Sequence, residues 1–264
     1  MSSTETTARQ ATFVLVATDH GTLLVPRTDR APNPDGSAYG VGHSLLTLSR
    51  YEPHVVATLR QALLTRRARV GNGVHVLDIG ANIGVFTVEM ARAILGWGTI
   101  TAFEPQERLF YALCGNLALN NLLNAGAVMA AVGAESGKID VPMVDYLAEA
   151  SFGSLELRGM NVDLGQKLSG ETAPVPLITV DELNLPRVDF MKIDVEGMEL
   201  ELLAGAERTL YTHKPILFIE FGKVGRERLR AKLESYNYWV AEADTSVDFL
   251  CACPDDAALL GMFT

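Results

Sequence analysis

From residue 74 onward, short runs of apolar residues alternate with stretches whose apolar positions recur every three or four residues. The runs at 74–79, 99–103, 126–132, 188–193 and 215–220 are apolar nearly throughout, the pattern of strands buried on both faces of a parallel sheet. The intervening stretches at 84–95, 106–121, 196–212 and 223–235 carry helical periodicity. This alternation predicts an α/β fold, a largely parallel sheet with helices on both faces. Runs at 238–241 and 247–251 predict a closing strand pair. Ahead of the sheet, 12–18 and 22–26 predict a hairpin around Asp19-His20-Gly21. Residues 30–42, rich in Pro, Gly and Asp, read as loop, and 52–67 as a helix with Val55, Val56, Leu59, Leu63 and Leu64 on or near one face. Between the third and fourth strands lies an excursion, 134–180, with strand-like pieces at 138–144 and 154–158 and a polar loop around 165–171.

At 264 residues the chain is long enough for a full core. Its 22 Lys and Arg stand against 32 Asp and Glu, a net charge of −10, which argues against a nucleic-acid partner because phosphates need neutralising. Arg60, Arg66, Arg67 and Arg69 cluster in one segment and read as a solvated helix face. Cys114, Cys251 and Cys253 have no zinc spacing and fit reduced thiols. The polar first ten residues lack an apolar signal core, and no apolar run is long enough to span a bilayer. The expectation is a cytoplasmic chain without a membrane partner, and a candidate homo-oligomer.

The chemistry is concentrated at strand ends. Val74-His75-Val76-Leu77-Asp78-Ile79-Gly80-Ala81-Asn82-Ile83-Gly84 is a buried strand running into a glycine turn, with a helix start behind it. Ligands of open α/β sheets bind beyond such carboxyl ends. Gly80 and Gly84 let the backbone turn sharply or approach a ligand. About twenty residues later the second strand ends in Glu104, where a carboxylate grips a ribose diol. The pair points to an adenosine-containing cofactor. The dinucleotide fingerprint needs a glycine where Asn82 stands, so a pyrophosphate is poorly served. S-adenosylmethionine has no phosphate, and Asp78 beside backbone amides suits its zwitterionic end. The bland alternative is a strand–turn–helix corner without a ligand.

The fourth strand ends in Asp194-Val195-Glu196-Gly197-Met198-Glu199, and the fifth in Glu220. If these strands are neighbours, Asp194 and Glu220 converge near the cofactor's reactive end. They could hold a divalent cation such as Mg²⁺, or one could serve as general base, with Asp194 the first choice. The alternative for Asp194 is a cap on the helix opening at Val195 or Glu196. Glu196 and Glu199 suit the first turn of that helix as well as a site, and Glu220 could simply pair with Lys192.

Asp78-Ile79-Gly80-Ala81-Asn82-Ile83-Gly84, Phe103-Glu104-Pro105 and Lys192-Ile193-Asp194-Val195-Glu196-Gly197-Met198-Glu199 together resemble the FkbM-type S-adenosylmethionine-dependent methyltransferases. The likeness extends through Ile178-Thr179-Val180-Asp181-Glu182-Leu183 and Gly205-Ala206, covering most of 50–222. It implies the Rossmann-like class I methyltransferase fold, a seven-stranded, mostly parallel sheet with one antiparallel strand. It also implies O-methylation of a sugar, polyketide or similar hydroxyl-bearing metabolite. Tyr51-Glu52-Pro53 resembles a family element before the core, which makes Glu52 a candidate contact to the cofactor's methionine end. On this reading 1–69 form an N-terminal hairpin and helical cap, and 70–264 the S-adenosylmethionine-binding methyltransferase domain. The cofactor candidates are then Glu52, Asp78, Gly80, Asn82, Gly84, Glu104 and Asp194. The rivals are an NAD-dependent oxidoreductase on a similar sheet and a non-catalytic cofactor-binding partner protein.

Overall fold

The apolar runs become strands of one twisted sheet in a computed structural model that describes residues 11–33, 35–158, 168–243, 245 and 247–261. The N-terminal segment folds as a hairpin, β1 (Phe13–Thr18) and β2 (Gly21–Pro26), and a short ladder, β3 (Ala31–Pro32) and β4 (Ala38–Tyr39). Two helices follow, α1 (Val41–Leu48) and α2 (Pro53–Val70). Next come β5 (Val74–Ile79), α3 (Val85–Ala93), β6 (Gly98–Phe103), α4 (Glu107–Leu119) and β7 (Ala125–Val128). The excursion supplies β8 (Ala131–Val132), β9 (Gly137–Val144) and β10 (Leu168–Ile178). The chain then runs through β11 (Phe190–Ile193), α5 (Glu199–Ala204), α6 (Glu207–His213), β12 (Ile216–Glu220) and α7 (Arg226–Ser235). It closes with β13 (Trp239–Glu242), β14 (Asp248–Ala252) and α8 (Pro254–Leu259).

The central sheet has seven strands in the order β13-β14-β12-β11-β5-β6-β7. β11 pairs in parallel with β5 and β12, and β5–β6 and β6–β7 are parallel too. β14 runs antiparallel to both its neighbours, as the family resemblance implies. Alternate residues of one strand serve opposite faces. Val74 and Val76 pack with α2, α3 and α4, whereas Leu77 and Ile79 pack with α5, α6 and α7. The front segment enters the first of these clusters through Leu23, Val25, Leu45, Val55 and Leu59. No helix among the described residues is long and apolar enough to cross a membrane.

Several expectations change. The run 126–132 divides: β7 stays in the central sheet, and β8 pairs with β10 instead. The stretch 196–212 is two helices, α5 and α6. The break falls at Gly205, where a Cβ would lie 2.0 Å from the Gly133 carbonyl oxygen. Asp181 then accepts the Arg208 and Thr209 amides at 2.8 and 2.9 Å, which restarts the helix. Residues 154–158 are bends and loop rather than a strand, and residues 168–171 of the expected polar loop belong to β10, its remainder lying outside the described residues. The arginine cluster is a solvated face only in part: Arg60 is exposed, whereas Arg66 is buried. Arg66 is 4% exposed and donates to Asp189, Asp256 and the His213 carbonyl, tying α2 to the sheet and to α8.

Candidate active site

The glycine turn knits three strand ends together. Gly80 and Ala81 both donate their amides to the Phe103 carbonyl at 3.0 and 2.9 Å, and the Asp194 amide donates to the Ile79 carbonyl at 2.9 Å. Gly80 has φ +82°, and a Cβ there would sit 1.7 Å from the Asp194 carbonyl oxygen. No side chain fits that approach. Asn82 takes the left-handed conformation at φ 52° and satisfies it locally, its Oδ1 accepting the Ile83 amide at 2.7 Å. Gly84 opens α3 from the same region at φ +84°.

Glu104 stands at the end of β6, 4% exposed. One carboxylate oxygen accepts the Asn82 amide at 2.9 Å and the other accepts the Gln106 amide at 2.8 Å. Burial outweighs these two bonds and pushes its carboxyl up to about 7. Each oxygen keeps a further lone-pair direction for a ligand hydroxyl. Asp78 lies underneath, fully buried and not lining the cavity. Its Oδ2 accepts the Thr87 hydroxyl at 2.5 Å, and Oδ1 is 3.9 Å from Lys192 Nζ. Its place is a support for the turn rather than a wall.

From Glu104 a cavity of about 470 Å³ runs along the strand ends. It reaches Asp194 just beyond β11, Glu220 on β12 and Asp248 on β14, with Glu52 facing them from the start of α2. Four strand spacings separate the β6 and β14 positions, a span of about 19 Å. Asp194, Glu196 and Glu220 can place one oxygen each within 4.8 Å of one another. Burial, reinforced by the Asp194 charge, pushes Glu196 up to about 8 and Glu220 up to about 10. Burial also raises Glu52 and Asp248. One Glu220 oxygen, Oε2, is buried without a hydrogen-bond partner among the described residues.

Lys192 is 4% exposed and pairs with Asp194 at 3.2 Å as well as Asp78. Burial would lower its pKa, but these two charges raise it, so it stays cationic. Its partner is therefore not Glu220: Lys192 and Asp78 are register neighbours on adjacent parallel strands and project from the same face. Asp194 is not a helix cap either. The Val195 and Gly197 amides are accepted by Glu199 at 3.1 and 3.2 Å, and Glu199 alone of the two glutamates lies in the first turn of α5. Glu196 precedes that helix at φ 50° and turns into the cavity. Glu196 thus takes the site role that the sequence left open to it, and Asp248 joins the site beyond the residues singled out from the sequence. The register of β12 on β14, which pairs Glu220 with Asp248, is the signal that reveals Asp248.

Three carboxylates at this spacing are hard oxygen donors of the kind Mg²⁺ takes. Two of them are already partnered by ammonium groups, Asp194 by Lys192 and Glu196 by Lys223 at 3.7 Å. Raised carboxyls also set a pH dependence. Between the ordinary carboxylate range and the folded values, the unfolded chain ionises these groups and the folded chain does not. Unfolding then releases protons, so stability is full at low pH and falls as pH rises through that window. The ligand-free protein is expected to lose thermal stability between about pH 5 and pH 9, and Glu220→Gln to flatten that fall. Thermal melts of both proteins across that range check it; parallel curves would contradict it.

The family model described as the methyltransferase FkbM domain matches residues 78–240. "Methyltransferase 1" of Beauveria bassiana (strain ARSEF 2860) is 30% identical over 147 residues, 50% of this chain and 58% of that protein. "Methyltransferase sdnD" of Sordaria araneosa is 27% identical over 164 residues, 53% of this chain and 63% of that protein. The matches thus span about six tenths of the length of these curated relatives. Among solved structures, methyltransferase FkbM from Methylobacillus flagellatus KT is similar with a TM-score of 0.49 at 16% identity, covering 79% of this chain and 60% of that one.

Proposed function

We propose that this chain, which belongs to the FkbM methyltransferase family, transfers the methyl group of S-adenosylmethionine to a hydroxyl of a sugar, polyketide or related small metabolite. The observation that carries this reading is the single cavity leading from Glu104 to the carboxylates at Asp194 and Glu220. Its volume suits small molecules, whose pockets run to about 300–1,000 Å³. Glu104 accepts from the ribose hydroxyls. The Gly80–Gly84 turn backs the adenosine, and Glu52 accepts from the ammonium of the methionine end. A dinucleotide is disfavoured because the Asn82 amide, which would meet a pyrophosphate, is committed to Glu104.

S-adenosylmethionine supplies an electrophilic methyl group in an in-line displacement, with no covalent enzyme intermediate. The protein's task is to align the acceptor oxygen and exclude water. The acceptor hydroxyl loses its proton as the new C–O bond forms. Asp194, 38% exposed at its side chain and held by Lys192, is the first choice to receive that proton, and Glu220 the second, available only where the positive charge of the bound cofactor lowers its raised carboxyl enough to ionise it. Labelled S-adenosylmethionine incubated with a panel of glycans, macrolides and small phenols tests the reading. Label should pass to a hydroxyl of one panel class; a protein that binds the cofactor yet labels no hydroxyl would favour a non-catalytic partner. A parallel arm with EDTA separates the two roles of the carboxylates. Chelation abolishes transfer only if they hold a metal ion.

Glu104→Ala is expected to weaken cofactor binding by about 1.5–3 kcal/mol, the range for hydrogen bonds to a charged group. It also orphans the Asn82 and Gln106 amides, so the melting point should fall while the fold survives. Calorimetry with S-adenosylhomocysteine reads the affinity. An unchanged dissociation constant in the folded variant would remove Glu104 as the ribose ligand.

A further inference from the structure

The corner that presents Glu52 to the cavity is strained. Glu52 has φ 39° and ψ 62°, left-handed backbone at a residue that is not glycine and that precedes Pro53. L-residues avoid that region, and the residue before proline is pushed towards extended conformations. Ser49, three residues earlier, is left-handed too, at φ 57°. Two such residues in four persist only where surrounding contacts over-determine the backbone.

Those contacts come from the tip of the β1–β2 hairpin. The Asp19 amide donates to the Ser49 carbonyl at 2.8 Å, and the Tyr51 amide donates to His20 Nε2 at 2.9 Å. His20 is 3% exposed and is itself fixed on every side. Its amide donates to the Thr18 hydroxyl at 3.1 Å, and its carbonyl accepts from Arg92 at 2.6 Å. Its Nδ1 lies 2.9 Å from Glu89, whose other oxygen accepts from Arg60 at 2.7 Å. Because Nε2 accepts from a backbone amide, the ring proton sits on Nδ1 and is donated to Glu89. Glu89 is suited to receive it. Burial raises its pKa, but the His20 hydrogen bond and the Arg60 charge outweigh burial and hold it below the usual range. A chain of side chains thus runs from α2 and α3 through His20 to the amide that precedes Glu52.

We propose that His20 is a positioning residue for cofactor binding: through the Tyr51 amide it holds the strained corner that aims Glu52 into the cavity. This rests on the reading above that Glu52 meets the methionine end of the cofactor. The hairpin lies outside residues 78–240, so the inference extends the functional unit beyond the part of the chain that the family model matches. Tyr51 gives the corner its second hold, its ring packed against Phe86 of α3 at 5.6 Å between centroids. His20 touches neither cofactor nor acceptor in this account; its effect passes through Glu52 alone.

A double-mutant cycle on the full chain distinguishes positioning from general structural support. Calorimetry with S-adenosylhomocysteine is run on the wild type, His20→Phe, Glu52→Ala and the double variant, with thermal melts confirming that each is folded. His20→Phe keeps a ring in the space but removes the acceptor for the Tyr51 amide. It should weaken binding about ten-fold, and in the Glu52→Ala background the same change should cost almost nothing further. Equal losses in the two backgrounds, or no loss in His20→Phe, would overturn the proposal while the wild type still binds. A wild type that does not bind would overturn the cofactor reading and this inference with it. Should His20→Phe fail to fold, His20→Gln decides. Gln retains an acceptor for the Tyr51 amide, so its affinity should stay within about three-fold of wild type; a loss as large as that of Glu52→Ala would overturn the proposal.

Discussion

A Gly80→Ala variant is expected to lose about 2–5 kcal/mol of stability and to bind cofactor poorly even where it folds. Left-handed backbone at a residue with a Cβ costs about 1–2 kcal/mol, and forcing atoms into a packed position about 1–3 kcal/mol more. Both apply at Gly80. Its φ is +82°, and the added methyl would lie 1.7 Å from the Asp194 carbonyl oxygen. That neighbour is backbone at the end of β11, pinned by the Asp194 amide's bond to Ile79, so it cannot swing aside. Relief requires the β5 and β11 ends to part, which also displaces Asp194. Gly84→Ala is the control. It shares the positive φ, but its Cβ would meet the tip of the Leu113 side chain at 2.5 Å, which can rotate. Denaturant midpoints should therefore fall further for Gly80→Ala than for Gly84→Ala. Equal midpoints would mean that the close approach of the two strand ends is not what the glycine serves.

Asp194→Asn carries the largest expected effect on chemistry. Asn keeps the shape and removes the charge, so the cavity wall is preserved. Lys192 keeps Asp78 as a partner at 3.9 Å, which limits the structural cost. Cofactor affinity should change little, while turnover falls by roughly 10²-fold, as when a general base is lost. Because Glu199 rather than Asp194 accepts the amides ahead of α5, loss of a helix cap would not explain such a fall. Turnover close to wild type would instead move the proton acceptor to Glu220. Mg²⁺ and EDTA added to the same assay separate a base from a metal ligand, since only a metal role makes chelation mimic the mutation.

Much of the site's frame was legible because it is local. A buried strand, two glycines that need positive φ and a carboxylate at the next strand end lie within thirty residues, and backbone sterics dictate the turn. The mostly parallel, seven-stranded sheet followed from strand–helix alternation and the family motifs together, but its strand order did not. What escaped was decided by distant partners. Gly205 breaks a periodic helix only because Gly133 comes against it and Asp181 caps the next turn. Arg66 looks like one more surface charge until Asp189 and Asp256 surround it, from more than a hundred residues away in sequence. Lys192 could have paired with either neighbouring strand, and the register sets it beside Asp78. The left-handed turn at Glu196, which brings it beside Glu220, left no mark in the hydrophobic pattern. The role of the hairpin was hidden for the same reason, since His20 and Tyr51 are joined by one hydrogen bond across thirty-one residues.

On the proposed function, the cavity beyond β5 and β6 takes an adenosine ligand without a pyrophosphate. Calorimetric titration of the full chain with S-adenosylhomocysteine and, separately, with NAD tests it most directly. Saturable one-to-one binding of S-adenosylhomocysteine, with no heat from NAD, is the result expected from Asn82 and Glu104 as they stand. Tight NAD binding, or no binding of S-adenosylhomocysteine by the folded wild-type chain, would contradict it.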